Sequence, residues 1–142
     1  MDQTVGDIMT RDVVVLREED NLQHVAEGLD TYRFRHLPVV DGERVVGMVS
    51  QRDLLRITVS SRDRSSVADA RERRLEEETF VGAIMTRDPM VVEQGTSIAE
   101  AAQRMADSRV GALPVVDNGK LVGILTEQDL LEVLARLLNK KD

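Results

Sequence analysis

The heptapeptide GMVSQRD at residues 47–53 returns as GILTEQD at residues 123–129. Each copy places a glycine before two apolar residues, and a hydroxyl-bearing residue three positions before an aspartate. Shifting the sequence by 76 residues aligns 5–55 with 81–131 without a gap, and about twenty of the 51 aligned positions are identical. Because a duplicated unit of this length usually covers its apolar face with its twin, the repeat predicts two similar halves.

The hydrophobic periodicity within each half predicts the element order β-α-β-β-α. A β-branched run at 13–16 predicts a strand, and apolar residues at helical spacing from 22 to 29 predict a helix. The second copy repeats the strand at 90–92 and adds a capping-box pattern, Ser97 with Glu100. LPVVD, present in both copies, predicts a strand whose proline, lacking an N–H, suits an edge or a strand start. A turn, a further strand and a helix that begins in QRDLLRI complete the half.

These patterns predict an α/β (α+β) fold built from two repeats. We place the first repeat at 1–57 and the second at 81–142, each opened by a short helix, which is Val5–Met9 in the first copy. Between them, 58–80 is polar and highly charged, which predicts a connector with solvent-facing side chains.

Composition limits the class of protein. The 142 residues are 42% hydrophobic but only 2% aromatic, so the core must be aliphatic. No run approaches the roughly 20 apolar residues that cross a bilayer, and the acidic, polar start is unlike a signal peptide. We therefore expect a soluble, cytoplasmic protein without a membrane partner.

Charge and cysteine content disfavour further classes. Having no cysteine removes disulfides, thiolate nucleophiles and the usual zinc sites, and no His/Asp/Glu cluster shows metal-ligand spacing. The formal net charge of −7 argues against nucleic-acid binding, which needs a basic face. An enzyme is disfavoured because the chain has two histidines, His24 and His36, and neither a Walker phosphate loop nor a G-x-G-x-x-G motif.

The repeated heptapeptide has a structural and a functional interpretation. As structure, Ser50 or Thr126 followed three residues later by an acid is a capping-box pattern, and each cap contributes about 1 kcal/mol. Gly47 and Gly123 would mark close approach of backbones. As a site, a helix N-terminus attracts phosphate, the hydroxyl can donate to a ligand oxygen, and the aspartate can accept from both hydroxyls of a ribose. This second interpretation predicts a nucleoside-phosphate site.

The motifs in their order resemble a tandem pair of cystathionine β-synthase (CBS) domains, also called a Bateman module. The matching segments are IMTRD before the first strand, then LPVVD, then GMVSQRDLL and GILTEQDLL. The resemblance implies two β-α-β-β-α repeats packed sheet to sheet about a pseudo-twofold axis, with two clefts between them. Such clefts often bind adenosine compounds, namely AMP, ADP, ATP or S-adenosylmethionine, and the modules commonly form homodimers. It implies no obligatory cofactor.

Carried over position by position, the resemblance implies that Asp53 and Asp129 bind ribose, with Ser50 and Thr126 as their hydroxyl companions. The segments that lead into each first strand would contact adenine, largely through backbone groups. The residues implied for adenine are Met9, Thr10, Met85 and Thr86, and those implied for phosphate are Arg35, His36 and Arg52.

The cations for phosphate occur in the first copy alone. The second copy has Gly111, Ala112 and Gln128 at the equivalent positions. We therefore expect unequal clefts with one good nucleotide site, and family geometry favours Asp129 for the sugar with Arg35 and His36 reaching across. The alternative for His36 is a strand-start residue without a ligand.

Two functions remain open at this point. The first is a regulatory module that binds an adenine nucleotide and signals occupancy to a partner protein in trans, since the chain carries no further domain. The second is a dimerisation or interaction scaffold whose clefts are vestigial and unoccupied.

Overall fold

The computed structural model describes residues 3–23, 25, 35–53 and 78–140. The chain divides into two compact units. Unit 1 comprises Met1–Val13 with Pro89–Asp142, and unit 2 comprises Val14–Asp88. Each unit has one three-stranded sheet with helices, so the predicted mixed α/β class is confirmed.

The elements alternate helices with hairpins in both halves of the chain. In chain order they are α1 (Val5–Ile8), β1 (His36–Asp41), β2 (Arg44–Ser50), α2 (Val81–Ile84), β3 (Thr86–Arg87), β4 (Val92–Glu93), α3 (Ile98–Ser108), β5 (Ala112–Asp117), β6 (Lys120–Thr126) and α4 (Glu127–Asn139). Residues 51–53 are also helical. Most of the helix predicted from residue 22 to residue 29, including His24, and most of the 58–80 connector lie outside the described residues.

The two sheets are built on equivalent hairpins. In unit 2, β1 and β2 pair antiparallel, β3 pairs antiparallel with β2, and Leu16 adds a parallel bridge to Val39 of β1. In unit 1, β5 pairs parallel with β4 and antiparallel with β6, and Thr10 forms an antiparallel bridge to Ile124 of β6. The β5–β6 turn runs through Asn118 and Gly119 at φ of 53° and 81°, as a type I′ turn requires.

The first strand of each repeat is shorter than predicted. The run at 13–16 contributes only the bridge at Leu16, and the equivalent strand starts at Val92, later than the predicted 90–92. In the bridge, Leu16 N–H donates to the Pro38 carbonyl at 2.9 Å, and Val40 N–H donates to the Leu16 carbonyl at 2.8 Å. Extending this parallel ladder toward residue 14 would require an N–H from Pro38, which proline lacks. The proline that was expected at a strand start therefore also limits the neighbouring strand.

The proline of the second LPVVD lies inside a central strand of unit 1, whereas the sequence predicted a sheet edge or a strand start for it; the edge is wrong there, and Pro114 is the third residue of its strand. Pro114 is in β5, between β4 and β6, opposite Ile124. Ile124 directs its N–H and carbonyl to Thr10, each at 2.9 Å. The pair Pro114–Ile124 is thus a non-hydrogen-bonded pair of the antiparallel ladder, and the missing N–H leaves no acceptor of β6 unsatisfied.

The opening helix of each sequence repeat packs in the unit that holds the other repeat's hairpin. Val5 and Met9 belong to the core of unit 1, and Val81 and Met85 belong to that of unit 2. The remaining buried residues of the first core are Val92, Ala101, Met105, Leu113, Val115 and Leu125, and those of the second are Leu16, Leu22, Val25, Leu37, Val39 and Val49. Both cores are aliphatic, as the composition predicts.

Helix α3 begins with half of the predicted capping box. The Ser97 hydroxyl accepts from the Glu100 N–H at 3.1 Å. The Glu100 carboxylate does not return to the cap; its Oε1 pairs with Arg104 at 2.7 Å, one turn further along the helix. Glu100 therefore takes an i,i+4 partner in place of the N-cap backbone.

Candidate ligand-binding site

Asp53 is held at the end of β2 by its own capping box. Ser50 N–H and hydroxyl both donate to Asp53 Oδ2, at 2.8 and 3.0 Å, and the Asp53 N–H donates to the Ser50 hydroxyl at 3.2 Å. Both residues are half-buried. All of these bonds fall on one carboxylate oxygen, and Oδ1 accepts no hydrogen bond from a described residue.

Asp129 repeats this arrangement at the end of β6 and adds one bond. Thr126 N–H and hydroxyl donate to Asp129 Oδ2 at 2.9 and 3.1 Å, and the Asp129 N–H donates to the Thr126 hydroxyl at 3.3 Å. In addition, the Thr10 hydroxyl donates to Oδ1 of Asp129 at 3.1 Å. The structural interpretation of both heptapeptides as capping boxes is confirmed. Each capping hydroxyl directs its proton at its own aspartate.

The predicted phosphate-binding cations lie beside Ser50 in unit 2. His36 is the cross-strand partner of Ser50, and the carbonyl of Arg35 accepts from Gln51 N–H at 2.9 Å. Arg35 and Arg52 have exposed side chains, and His36 is half-buried. Arg35, His36 and Arg52 therefore lie in the same unit as the Asp53 carboxylate, next to Ser50 or Asp53 in the strand pairing or in the sequence. The predicted use of Arg35 and His36 with Asp129, which belongs to the other unit, stays a prediction.

The predicted adenine-contacting segments are committed to packing and strand pairing. Met9 and Met85 are buried in their cores, each 8% exposed. Thr10 uses its N–H and carbonyl to pair with Ile124, and Thr86 is the strand partner of Met48. Their side chains differ, since Thr10 is half-buried and Thr86 is exposed.

The segments at residues 9–10 and 85–86 pass so close to the strands that the first residue of each heptapeptide has to be glycine. This is the close approach of backbones that the sequence predicted. A Cβ on Gly123 would lie 2.6 Å from Met9 Sδ and 2.8 Å from the Thr10 carbonyl oxygen. A Cβ on Gly47 would collide with Met85 Sδ and approach the Thr86 carbonyl to 3.1 Å. Only glycine lets the segment lie flat against the strand that leads to the aspartate.

Unit 1 also has a groove of about 410 Å³, which lies between α3 and the start of α4. Its walls are mainly small and apolar, with one cation and one carboxylate at the rim. The lining residues are Ala102, Met105, Ala106, Arg109, Val110, Glu127 and Leu130.

The sequence profile of the CBS domain matches residues 5–60 and 81–136, which are the two copies of the repeat. The chain belongs to the CBS-domain family. The resemblance to a tandem CBS pair is therefore confirmed.

Relatives of this CBS-domain chain occur in an archaeon and in a eukaryote. An uncharacterized protein of Methanocaldococcus jannaschii is 33% identical over 139 residues, covering 94% of this chain and 48% of that protein. A CBS domain-containing protein of Dictyostelium discoideum is 31% identical over 138 residues, covering 94% and 92%. This chain thus spans about half of the first relative and nearly all of the second.

The solved structures of CBSX2 are similar over the whole chain. That CBS-pair protein of Arabidopsis thaliana aligns with a TM-score of 0.82 at 30% identity, covering 99% of this chain and 100% of that one. A structure of CBSX2 in complex with AMP aligns with a TM-score of 0.77 at 31% identity, covering 96% and 98%. The fold is therefore that of a CBS pair.

Sequence reasoning missed two contacts of the CBS chain's opening segments. One is the Thr10–Asp129 bond, which joins residues 119 positions apart. The other is a clamp in which Arg11 donates to the Gly6 carbonyl, as Arg87 does to that of Gly82, both at 3.0 Å. The clamp had a signal, because the glycine and the arginine keep the same spacing in VGDIMTRD and VGAIMTRD.

Among the described residues, no helix combines the length and the apolar character that crossing a bilayer requires. Within the same residues, no three His, Asp or Glu side chains come together in a way that could hold a metal ion. The cytoplasmic location stays a prediction.

Proposed function

We propose that this chain is a regulatory module that binds an adenosine-containing compound and signals its occupancy to a partner protein. The observation that carries the proposal is the Asp53 carboxylate, oriented by Ser50 through Oδ2 while Oδ1 accepts nothing from the described residues. A carboxylate held in this way can accept both hydroxyls of a ribose. The AMP complex of CBSX2, 31% identical, supports an adenosine compound as the ligand class.

In this proposal unit 2 provides the nucleotide site. Arg35 and Arg52 supply positive charge close to Ser50 and Asp53, and phosphate is attracted to such cations; the His36 imidazole beside Ser50 can donate a further hydrogen bond to a phosphate oxygen. The equivalent positions of unit 1 are Gly111, Ala112 and Gln128, which carry no charge. We therefore assign sugar and phosphate recognition to the same unit, in place of the sequence-based pairing of the cations with Asp129.

Ser50 has an orienting role in the proposal. Its hydroxyl proton already points at Asp53 Oδ2, at 3.0 Å, so it fixes the carboxylate and need not reach the phosphate. Fixing the acceptor before the ligand arrives reduces the ordering cost of binding. The adenine base would then lie toward the segment of Met85 and Thr86, as the family resemblance implies.

The test is calorimetric titration of the whole chain with AMP, ADP, ATP and S-adenosylmethionine. Asp53→Asn keeps an acceptor for the Ser50 N–H but removes the charge and one acceptor oxygen. A hydrogen bond to a charged group contributes roughly 1.5–3 kcal/mol, so the affinity for the preferred ligand should fall at least tenfold. Asp41→Asn, a matched loss of charge at the exposed far end of β1, should change little. If none of the four compounds binds at millimolar concentration, the proposal is wrong.

The alternative is an interaction scaffold whose sites are empty. The capping boxes favour this alternative, because their hydrogen bonds form without a ligand and already give the repeated heptapeptides a structural role. Under this alternative Asp53→Asn would lower thermal stability but no ligand would raise the melting temperature of the wild-type chain. Thermal melts with and without AMP at roughly millimolar concentration distinguish the two, because a ligand that binds only the folded state raises its melting temperature.

We also propose that the chain forms a homodimer through α4. Leu131, Leu134 and Leu138 lie on one face of this helix at 57%, 49% and 62% exposure. A run of exposed leucines marks an interaction surface. The groove between α3 and α4 adjoins this face, since Leu130 of α4 lines it together with Ala102 and Ala106 of α3. In the dimer, the groove of one copy would receive leucine side chains of the other.

Sedimentation equilibrium tests the dimer. Leu134→Glu with Leu138→Glu should yield a monomer, because two carboxylates would be buried without partners. Arg136→Glu, an exposed position of α4 between the same leucines, changes the charge of the helix without altering the apolar face and should leave the dimer intact. A wild-type chain that sediments as a monomer would exclude this assembly.

A further inference from the structure

The two ribose-type carboxylates differ in one hydrogen bond. Asp53 receives two donors, both from Ser50 and both on Oδ2. Asp129 receives the two equivalent donors from Thr126 on Oδ2 and a third, the Thr10 hydroxyl, on Oδ1 at 3.1 Å. One carboxylate therefore keeps an oxygen without a partner among the described residues, and the other has both oxygens engaged.

Thr10 is fixed at this position by its backbone. Its N–H donates to the Ile124 carbonyl and its carbonyl accepts from the Ile124 N–H, each at 2.9 Å. Ile124 lies two residues before Thr126, the residue that caps Asp129. Gly123 permits this close approach, since a Cβ there would lie 2.8 Å from the Thr10 carbonyl oxygen. The half-buried Thr10 hydroxyl thus faces Asp129 without any motion of the chain.

The equivalent threonine of unit 2 does not make this bond. Thr86 pairs with Met48 as Thr10 pairs with Ile124, but its side chain is exposed. In the described part of unit 2 no hydrogen bond joins Thr86 to Asp53. The sequences of the two segments, IMTRD in both copies, do not distinguish them.

We propose that Thr10 is a specificity-determining residue whose hydroxyl competes with ligand for Oδ1 of Asp129, so that the first adenosine-type ligand binds at Asp53. This inference rests on the proposed function of the two aspartates as diol acceptors. A ribose at Asp129 must displace the Thr10 hydroxyl or share Oδ1 with it, whereas a ribose at Asp53 displaces no described donor. The exchange weakens the Asp129 site by about tenfold relative to the same site without the threonine hydroxyl.

The experiment is calorimetric titration with AMP in an Asp53→Ala background, where binding at Asp129 is isolated. Adding Thr10→Val removes the hydroxyl at nearly constant shape and should tighten AMP binding by about tenfold. Thr10→Ser keeps a hydroxyl and should lie nearer to the parent variant. Thr96→Val, a half-buried threonine of the same unit, controls for the general effect of the substitution. Thr10→Ala replaces Thr10→Val if the valine variant does not give the wild-type circular dichroism spectrum.

The outcomes separate this inference from the proposed function. Tighter binding in Thr10→Val supports both. Unchanged binding overturns the competition, and weaker binding overturns it as well, because the hydroxyl would then contact the ligand; the proposed function survives in either case. If the chain with both aspartates intact binds none of AMP, ADP, ATP and S-adenosylmethionine, the proposed function fails, and the order of filling fails with it.

Discussion

Gly123 lies where the segment after α1 crosses β6. Met9 and the Thr10 backbone occupy the space that a side chain at this position would need. Gly47 has the same role toward Met85 and Thr86 in the other unit. At the scale of single residues, the first residue of the repeated heptapeptide, a glycine, thus sets the distance between the segment and the strand, and its last residue, an aspartate, provides the carboxylate. In the second copy these two residues are six positions apart, the glycine in β6 and the aspartate in the first turn of α4.

Gly123→Ala should lower the free energy of unfolding by about 1–3 kcal/mol, the usual cost of overpacking. The added methyl would meet Met9 Sδ at 2.6 Å, which can move, and the Thr10 carbonyl at 2.8 Å, which cannot without breaking its bond to Ile124. Urea denaturation measures the loss. Gly95→Ala is the control, because a Cβ there meets nothing within 4 Å, and its change should stay within about 0.5 kcal/mol. Equal effects at both glycines would contradict the close-approach argument.

Asp7 makes the stability of the first opening helix depend on pH. The backbone N–H of Thr4 donates to its carboxylate at 2.9 Å and the Thr4 hydroxyl at 3.1 Å, and these bonds, with a smaller effect of Arg11, hold the pKa of Asp7 below its usual value of 3.8. A lowered folded-state pKa means that the contribution is complete above pH 3.8 and is lost as the pH falls below it.

Asp7→Asn should therefore be less stable than the wild type at pH 7, and the difference should shrink as the pH falls below about 4. Denaturant unfolding at a series of pH values measures it. Thr4→Val removes the hydroxyl donor but keeps the N–H, which is the larger cause of the shift, so its loss should be smaller. A difference between wild type and Asp7→Asn that stays constant down to pH 3 would show that the cap does not act through the charged carboxylate.

At the scale of elements, α3 ends on a residue that does not favour its conformation. Arg109 is the C-cap at φ 56°, in the left-handed region that glycine adopts most easily. Arg109→Gly should raise the free energy of unfolding by about 0.5–1 kcal/mol, since relief of the left-handed strain exceeds the added freedom of the unfolded chain. Ala106→Gly, inside the same helix and also exposed, should lower it by about 1 kcal/mol. Thermal unfolding compares the two variants. A loss of stability in both would contradict the conclusion that Arg109 is strained at its left-handed φ.

The elements that the sequence predicted well are those specified by local pattern. The hairpins follow from LPVVD and from the turn residues, and α3 follows from its apolar spacing and the Ser97 cap. The first strands were predicted too long, because their pairing depends on whether a distant proline can donate. The capping boxes of Asp53 and Asp129 span three residues and could be predicted; the Thr10–Asp129 bond joins residues 119 positions apart and could not.

At the scale of the whole molecule, neither sequence repeat forms a complete core from its own residues. Val5 is fully buried with Val115 and Leu125 of the second repeat, and Val81 with Val39 of the first. Met9 and Met85 belong to the same cores and lie directly before Thr10 and Thr86. In unit 1 the segment that completes the core also bonds the carboxylate, through Thr10 and Asp129, so the packing of the first repeat is linked to the candidate site of the second.

This exchange predicts a crossed response to matched core mutations. Val5→Ala removes two buried carbons and should destabilise its surroundings by roughly 2 kcal/mol. Native-state hydrogen exchange should then show faster opening in β5 and β6 of unit 1, although Val5 belongs to the first sequence repeat. Val81→Ala is the matched variant, and it should instead accelerate exchange in β1 and β2 of unit 2. If each substitution mainly loosened the hairpin of its own sequence repeat, the opening helices would pack in solution within their own repeats, and the links from Thr10 to Asp129 and from Met9 to Gly123 would be lost with them.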